Sequence, residues 1–123
     1  MSYDPQNVFA RILRGEVPCK KLDEDEHSLA LEDIHPQAPV HSLVIPKGPY
    51  ESLLDMADLA SDAELASLVR MLARVARGKQ VDRTGFRVLA NIGPDGHQEV
   101  QHLHFHLFGG RRLGSMIKRP PEG

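Results

Sequence analysis

Short apolar stretches separated by polar and turn-forming residues set the pattern of this chain. In "DPQNVFARILRGEVP", residues 4–18, Val8, Phe9, Ile12 and Leu13 fall on one helical face. Asp4 suits the cap, Pro5 the first turn, and Gly15 with Pro18 the end, so the stretch predicts a short helix. "CKKLDEDEHSLALEDI" predicts a hairpin that turns at the acidic run Asp23–Glu26. Pro36 and Pro39 then interrupt the chain, and "HSLVIP" has strand length, closed by Pro46. The clearest helix starts at Ser61, which stands at capping-box spacing from Glu64. Leu65, Leu68, Val69, Leu72, Val75 and Ala76 repeat with helical period, acids precede bases along it, and Gly78 is its stop. "GFRVLANIG" and "VQHLHFHLF" read as two further strands joined by the turn-rich "GPDGH". This order, helix, three strands, helix, two strands, lacks regular βαβ alternation and predicts an α+β domain with an antiparallel sheet. No repeat or linker divides it: residues 1–114 read as a single domain and residues 115–123, ending "RPPEG", as a polar tail.

Composition narrows the function classes. The 123 residues suffice for one domain with a real core. A net charge of −2 offers no basic field for nucleic acid or an anionic membrane, and neither is expected as a partner. No apolar run approaches the roughly 18 residues that span a bilayer. The first residues, "MSYDPQNVFA", lack the basic and apolar regions of a secretory signal. Cys19 is the single cysteine, so neither an internal disulfide nor a CxxC metal site is available. It is read as structural and inert, and its solitude fits a reducing compartment, most simply the cytoplasm.

What changes the picture is histidine. Of seven, four fall between His97 and His106. In "QEVQHLHFHLFG", residues 98–109, His102, His104 and His106 alternate with Leu103, Phe105 and Leu107. In a strand, alternate side chains share a face, so the apolar set would enter a core and the imidazoles would be displayed opposite. Three readings follow from the residues. The first is a solvated polar face, although like rings side by side repel once protonated. The second is a metal site. Neighbouring rings, with Cα atoms about 6.6 Å apart, can share an ion, whereas the outer pair, about 13 Å apart, cannot without distortion, and His41 could supply a further donor. The third is nucleophilic catalysis by a central imidazole whose neighbours fix its orientation and discourage its protonation.

The stretch "HLHFHLF" resembles the signature of the histidine triad (HIT) superfamily. With "NVFARILRGEVPCKKLDEDE", "LEDIHPQAPVHSLVIPK" and "NIGPDGHQEVQHLHFHLFGGRRLG" it is similar to the Hint branch, the histidine triad nucleotide-binding proteins, over about residues 7–114. "QEV" and "GGRRLG" resemble bacterial members. The resemblance implies a HIT-like fold, a five-stranded antiparallel sheet with two main helices, in a homodimer. It implies binding of purine mononucleotides (AMP, GMP) and, without metal or other cofactor, hydrolysis of the P–N bond of AMP-amine and aminoacyl-adenylate-type substrates. By position, His104 would be the nucleophile and carry a transient nucleotidyl group. His102 would orient it through its backbone carbonyl, His106 would contact the phosphate, and His41 would hydrogen-bond near His102. Asn91, Gln98, Glu99 and the backbone at His97 and Val100 would surround the phosphate and leaving group. Asp33 would take the ribose hydroxyls, and Phe9, Ile12, Leu31, Ile34 and Leu43 would wall the base pocket.

Taken alone, these residues read less specifically. Asp33 is equally a turn acid before Pro36, Asn91 a turn residue before Gly93, His41 an edge or core histidine, and Phe9, Ile12 and Leu43 ordinary core. Some positions depart from the family pattern. His97 stands where glycine is usual, so its side chain would either crowd the phosphate or need a special backbone. Glu99 replaces the serine of eukaryotic relatives, His35 replaces a common serine, and no Trp-Pro-Pro ends the chain. Three rivals remain: a nucleotide sensor or scaffold, a zinc-binding module, and another HIT activity. Of the last, dinucleoside polyphosphate hydrolysis is disfavoured because "GGR", not proline, follows the triad, and uridylyltransferase-like members are longer.

Overall fold

Two runs, "SLALE" and "VHSLVIP", are apolar at successive positions, which means strands covered on both faces. The computed structural model bears this out for residues 3–117, the described part of the chain. Residues 118–123 of the expected tail lie outside it. The elements are α1 (Val8–Leu13), β1 (Lys21–Glu24), β2 (Ser28–Glu32), β3 (Val40–Pro46), α2 (Leu53–Leu59), α3 (Asp62–Gly78), β4 (Phe86–Leu89) and β5 (Phe105–Gly109). One five-stranded antiparallel sheet runs β1-β2-β3-β5-β4. The order is compact because β4 and β5 add to β3 after the helical excursion.

Side-chain alternation divides the interior into two. Ala30 and Val44 face α3, where they meet Leu68, Met71, Val75, Ala76, Leu103 and Leu107. Leu29, Leu31, Leu43 and Ile45 face the other way and meet Phe9 of α1. The register aligns Leu43 with His106 and His41 with Phe108, so both histidines belong to the α1 side of the sheet. α3 therefore closes one face, and the short α1 leaves room for a site on the other.

The structure corrects several local expectations. The cap of α1 is Asn7, whose side chain accepts from the Ala10 N–H. Asp4 instead accepts from the Gln6 N–H, which places Pro5 in a turn before the helix rather than in its first turn. Val69 of α3 is 67% exposed, and Met71 takes the buried position. α2 was not expected: only its Met56 is buried, so no periodicity marks it, and its signal was the Ser52–Asp55 capping box. Finally, β5 begins only at Phe105, so His102 and His104 precede the strand. The hairpin is present, but Asp23 and Glu24 belong to β1 and the chain turns at Asp25–His27; the Ser61–Glu64 box and the position of Pro46 at the end of β3 stand as expected. No helix of the described residues is long and apolar enough to cross a membrane.

Leu107 is fully buried between β5 and α3, whereas Leu59 of α2 is 75% exposed. Leu107→Ala should cost about 2–5 kcal/mol in denaturant unfolding and Leu59→Ala less than about 0.5 kcal/mol. Equal losses would contradict this division of the core.

Candidate active site

β3 ends in a proline, and that shapes the histidine segment. Pro46 has no N–H to extend the ladder. The preceding pairs reach Val44 with Phe105, and further back the chain finds other partners. Leu103 N–H donates to the Tyr50 carbonyl at 2.8 Å. The Pro46 carbonyl lies 2.9 Å from Nε2 of His102. Alternation survives nonetheless: Leu103 and Leu107 enter the α3-side core, Phe105 packs against it, and the histidines turn the other way.

Hydrogen bonds then assign each ring its tautomer. A carbonyl can only accept, so His102 carries its proton on Nε2, toward Pro46, and its Nδ1 accepts from the Tyr3 hydroxyl at 2.6 Å. By the same rule Nδ1 of His104 donates to the His102 carbonyl at 2.7 Å. Nε2 of His104 is thereby a lone pair. A second chain runs from β3. The Gln37 N–H donates to Nδ1 of His41 at 3.1 Å, which puts the His41 proton on Nε2. That nitrogen lies 2.9 Å from Nδ1 of His106 and 3.3 Å from Oδ2 of Asp33. His106 accepts there, and its own proton is left on Nε2. Neighbouring rings are thus fixed in opposite tautomers, one offering a lone pair and the other an N–H.

Burial keeps these rings neutral. His41 and His102 are 1% and 0% exposed, and His104 is 8% exposed. Desolvation holds all three below the ordinary imidazole range, against the opposing pull of Asp33 on His41 and of the backbone acceptors on His102 and His104. His106 is pushed down to about 4 by burial, then by the neighbouring His104 and His41. Phe9 packs 4.8 Å from His104, and Phe108 stacks on His106 at 5.6 Å, centroid to centroid.

The rings His104 and His106 open onto a cavity of about 430 Å³, within the range of small-molecule sites. One part of its wall is apolar: Phe9 and Ile12 from α1, Leu31 from β2 and Leu43 from β3. Ile34 and Asp33, just after β2, and Asn91, His97, Glu99 and Val100, between β4 and β5, line the rest. Asp33 Oδ1 is held by the His35 N–H at 2.8 Å.

His102 meets Nδ1 of His104 through its carbonyl as expected, whereas His41 and Gln98 make other contacts than expected. His102 is behind His104 and does not line the cavity. His41 bonds to His106 and Asp33, not near His102, because the β3–β5 register sets it beside Phe108. Gln98 is spent on the loop: its Nε2 donates to the Glu51 and Val100 carbonyls, and its Oε1 accepts from the Gly93 N–H. His97 takes a left-handed backbone, φ 59°, one of the two expected consequences of a side chain at this position. Sequence reasoning missed Tyr3 and the Gln37 amide, which carry no local signal. It also missed that Cys19, with Val8 and Val17, lines the cavity.

Asp33, His41 and His106 present donor atoms within 4.8 Å of one another, a spacing a cation could use. The tautomers oppose that use. With Nδ1 of His41 accepting from Gln37, its Nε2 could meet a metal only as an imidazolate.

Residues 14–113 match the HIT domain family model. The chain belongs to the HIT domain family. Its HIT relatives include an uncharacterized 13.2 kDa HIT-like protein of Azospirillum brasilense, 58% identical over 96% of this chain and 97% of that one. Among solved structures, a HIT family hydrolase from Clostridium thermocellum superposes with a TM-score of 0.80 at 33% identity, covering 92% of this chain and 97% of that one. A histidine triad nucleotide-binding protein from Candida albicans gives 0.77 at 28% identity, over 94% and 86% of the two chains. The HIT fold expected from the sequence is therefore present.

The depressed imidazoles make stability depend on pH. Above about pH 6.5 neither the folded nor the unfolded chain protonates them. Below it, the unfolded chain binds protons that the folded site refuses, so stability falls as pH drops from about 6.5 toward the His106 value of about 4. The melting temperature should decline continuously across that window, and a flat profile between pH 7 and 5 would contradict the neutral cluster.

Proposed function

We propose that the chain is a purine nucleoside phosphoramidase, hydrolysing AMP-amine and aminoacyl-adenylate-type substrates through a nucleotidyl-histidine intermediate. The observation that carries the reading is the His104 tautomer: Nδ1–H is engaged by the His102 carbonyl at 2.7 Å, so the Nε2 lone pair is the reactive one, in a ring that lines a nucleotide-sized cavity. The neighbouring His106 supplies a complementary N–H for a phosphoryl oxygen. The apolar wall of Phe9, Ile12, Leu31, Ile34 and Leu43 suits a base, and Asp33, beside it, suits ribose hydroxyls. Family relatives described as a hydrolase and as a nucleotide-binding protein support the same reading.

The reaction has two steps. Nε2 of His104 attacks the α-phosphorus and the amine departs; water then cleaves the P–Nε2 bond and AMP is released. Splitting one displacement into two is the gain of covalent catalysis. N–H groups already oriented toward the phosphoryl oxygens stabilise the charge that grows there. His102, Tyr3 and His41 act behind the reacting rings and hold their tautomers.

His104→Ala should lower kcat on an AMP phosphoramidate by at least about 10³-fold while AMP still binds. Mass spectrometry of the parent, quenched early, should show an AMP adduct on His104. Parent-rate turnover by the variant sinks the assignment, and binding without parent turnover favours a nucleotide sensor. Full activity in excess chelator is expected, whereas its loss favours the zinc reading.

The homodimer is part of the same proposal. β4 is an edge of the sheet, and its Phe86 and Val88 are 42% and 38% exposed. Sheet edges with apolar side chains are suited to pairing with another chain. Light scattering should give twice the 13.7 kDa chain mass, and Val88→Lys should shift it toward one. A single-chain mass for the parent contradicts the dimer.

A further inference from the structure

The cavity mouth carries a pair of side chains, His97 and Glu99, that neither step of the proposed reaction uses. His97 sits in a left-handed turn, φ 59°, that glycine adopts freely and histidine seldom does. The turn is held by hydrogen bonds: His97 N–H donates to the Pro94 carbonyl and Gln98 N–H to the Gly93 carbonyl, each at 3.0 Å. Held there, Nε2 of His97 lies 3.0 Å from Oε1 of Glu99. The two side chains are 84% and 74% exposed, yet both residues line the cavity that contains His104 and His106. The carboxylate accepts the Nε2 proton and leaves Nδ1 as the nitrogen that exchanges one.

The charge of Glu99 also reaches the buried rings. Burial lowers the proton affinity of His104 and His106, and Glu99 is among the smaller influences that oppose it at both. Neither of those rings has a proton to spare. The Nδ1 proton of His104 is held by the His102 carbonyl while Nε2 attacks. His106, kept neutral, has one proton, on the nitrogen that would meet the phosphoryl oxygen. An amine leaving from phosphorus needs a proton, because its anion is far too basic to depart.

We infer that His97, steadied by Glu99, gives that proton to the departing amine and recovers one from water in the second step. The inference rests on the phosphoramidase reading. In the first step the Nε2–P bond of His104 forms, the P–N bond breaks with its electron pair on nitrogen, and the imidazolium form of His97, its Nε2–H held by Glu99, gives its Nδ1 proton to that nitrogen and becomes neutral. In the second step water's oxygen bonds to phosphorus, the Nε2–P bond breaks with its pair returning to His104, and a water proton moves to Nδ1 of His97. One proton is given and one is regained. Glu99 acts through His97 and is a positioning residue.

Two AMP phosphoramidates test this, one of a basic alkylamine and one of an electron-poor arylamine that departs with little protonation. They are compared in the parent and in His97→Asn, His97→Gly and Glu99→Gln. Asn and Gly both accept the left-handed backbone, so these variants should fold. For both His97 variants kcat on the alkylamine should fall about 100-fold, a typical loss for a general acid, and at least tenfold less on the arylamine. Glu99→Gln keeps an acceptor without the charge and should shift the same ratio more weakly, through kcat rather than KM. Equal losses on both substrates, or none, overturn the inference while the phosphoramidase reading stands. A parent inactive on both substrates overturns the reading and the inference with it.

Discussion

A buried imidazole has two nitrogens, and what each one touches decides what the ring can do. At the centre of this protein the His102 carbonyl accepts the Nδ1 proton of His104 at 2.7 Å. That bond fixes the ring's rotation and its tautomer together, and leaves one lone pair uncommitted. Everything else about the site serves to place that carbonyl or to surround that lone pair. His102 is itself pinned on both ring nitrogens, by Pro46 and Tyr3, so the backbone that presents the carbonyl cannot swing. An imidazole with no such partner would exchange tautomers and protonate near neutrality.

The sheet supplies the platform. The β3–β5 register sets Leu43 opposite His106 and Phe108 opposite His41, which puts an apolar wall and two histidines on one surface. The opposite surface is committed to α3 and cannot hold a ligand. α1 is only six residues long, so it lends Phe9 and Ile12 to the cavity without closing it. The fold thus keeps the interior dry enough to hold His41, His102 and His104 neutral while leaving an opening over His104 and His106.

The loop between β4 and β5 is held from several sides. Gln98 uses its whole side-chain amide to tie this loop to Glu51, Gly93 and Val100. Gly96 has no room for a side chain, since a Cβ there would lie 2.4 Å from the Ile92 carbonyl oxygen. On so constrained a loop, His97 and Glu99 are held at the cavity that His104 and His106 line.

Much of this was legible in the sequence. Period-two alternation predicted that the three histidines share a face, and their rings do gather on the Phe9 side although only His106 lies in β5. The capping box and helical period fixed α3, and the triad with its flanking motifs pointed to the family and to most of the cavity wall. The tertiary structure alone decided which nitrogen carries each proton. That Tyr3 closes on His102 across 99 residues, that His41 serves His106, and that Gln98 reaches the Glu51 carbonyl depend on contacts between segments far apart in the chain. Alternation says which way a side chain points. Strand register and the loss of water decide what it meets, and those are set only when the whole sheet has closed.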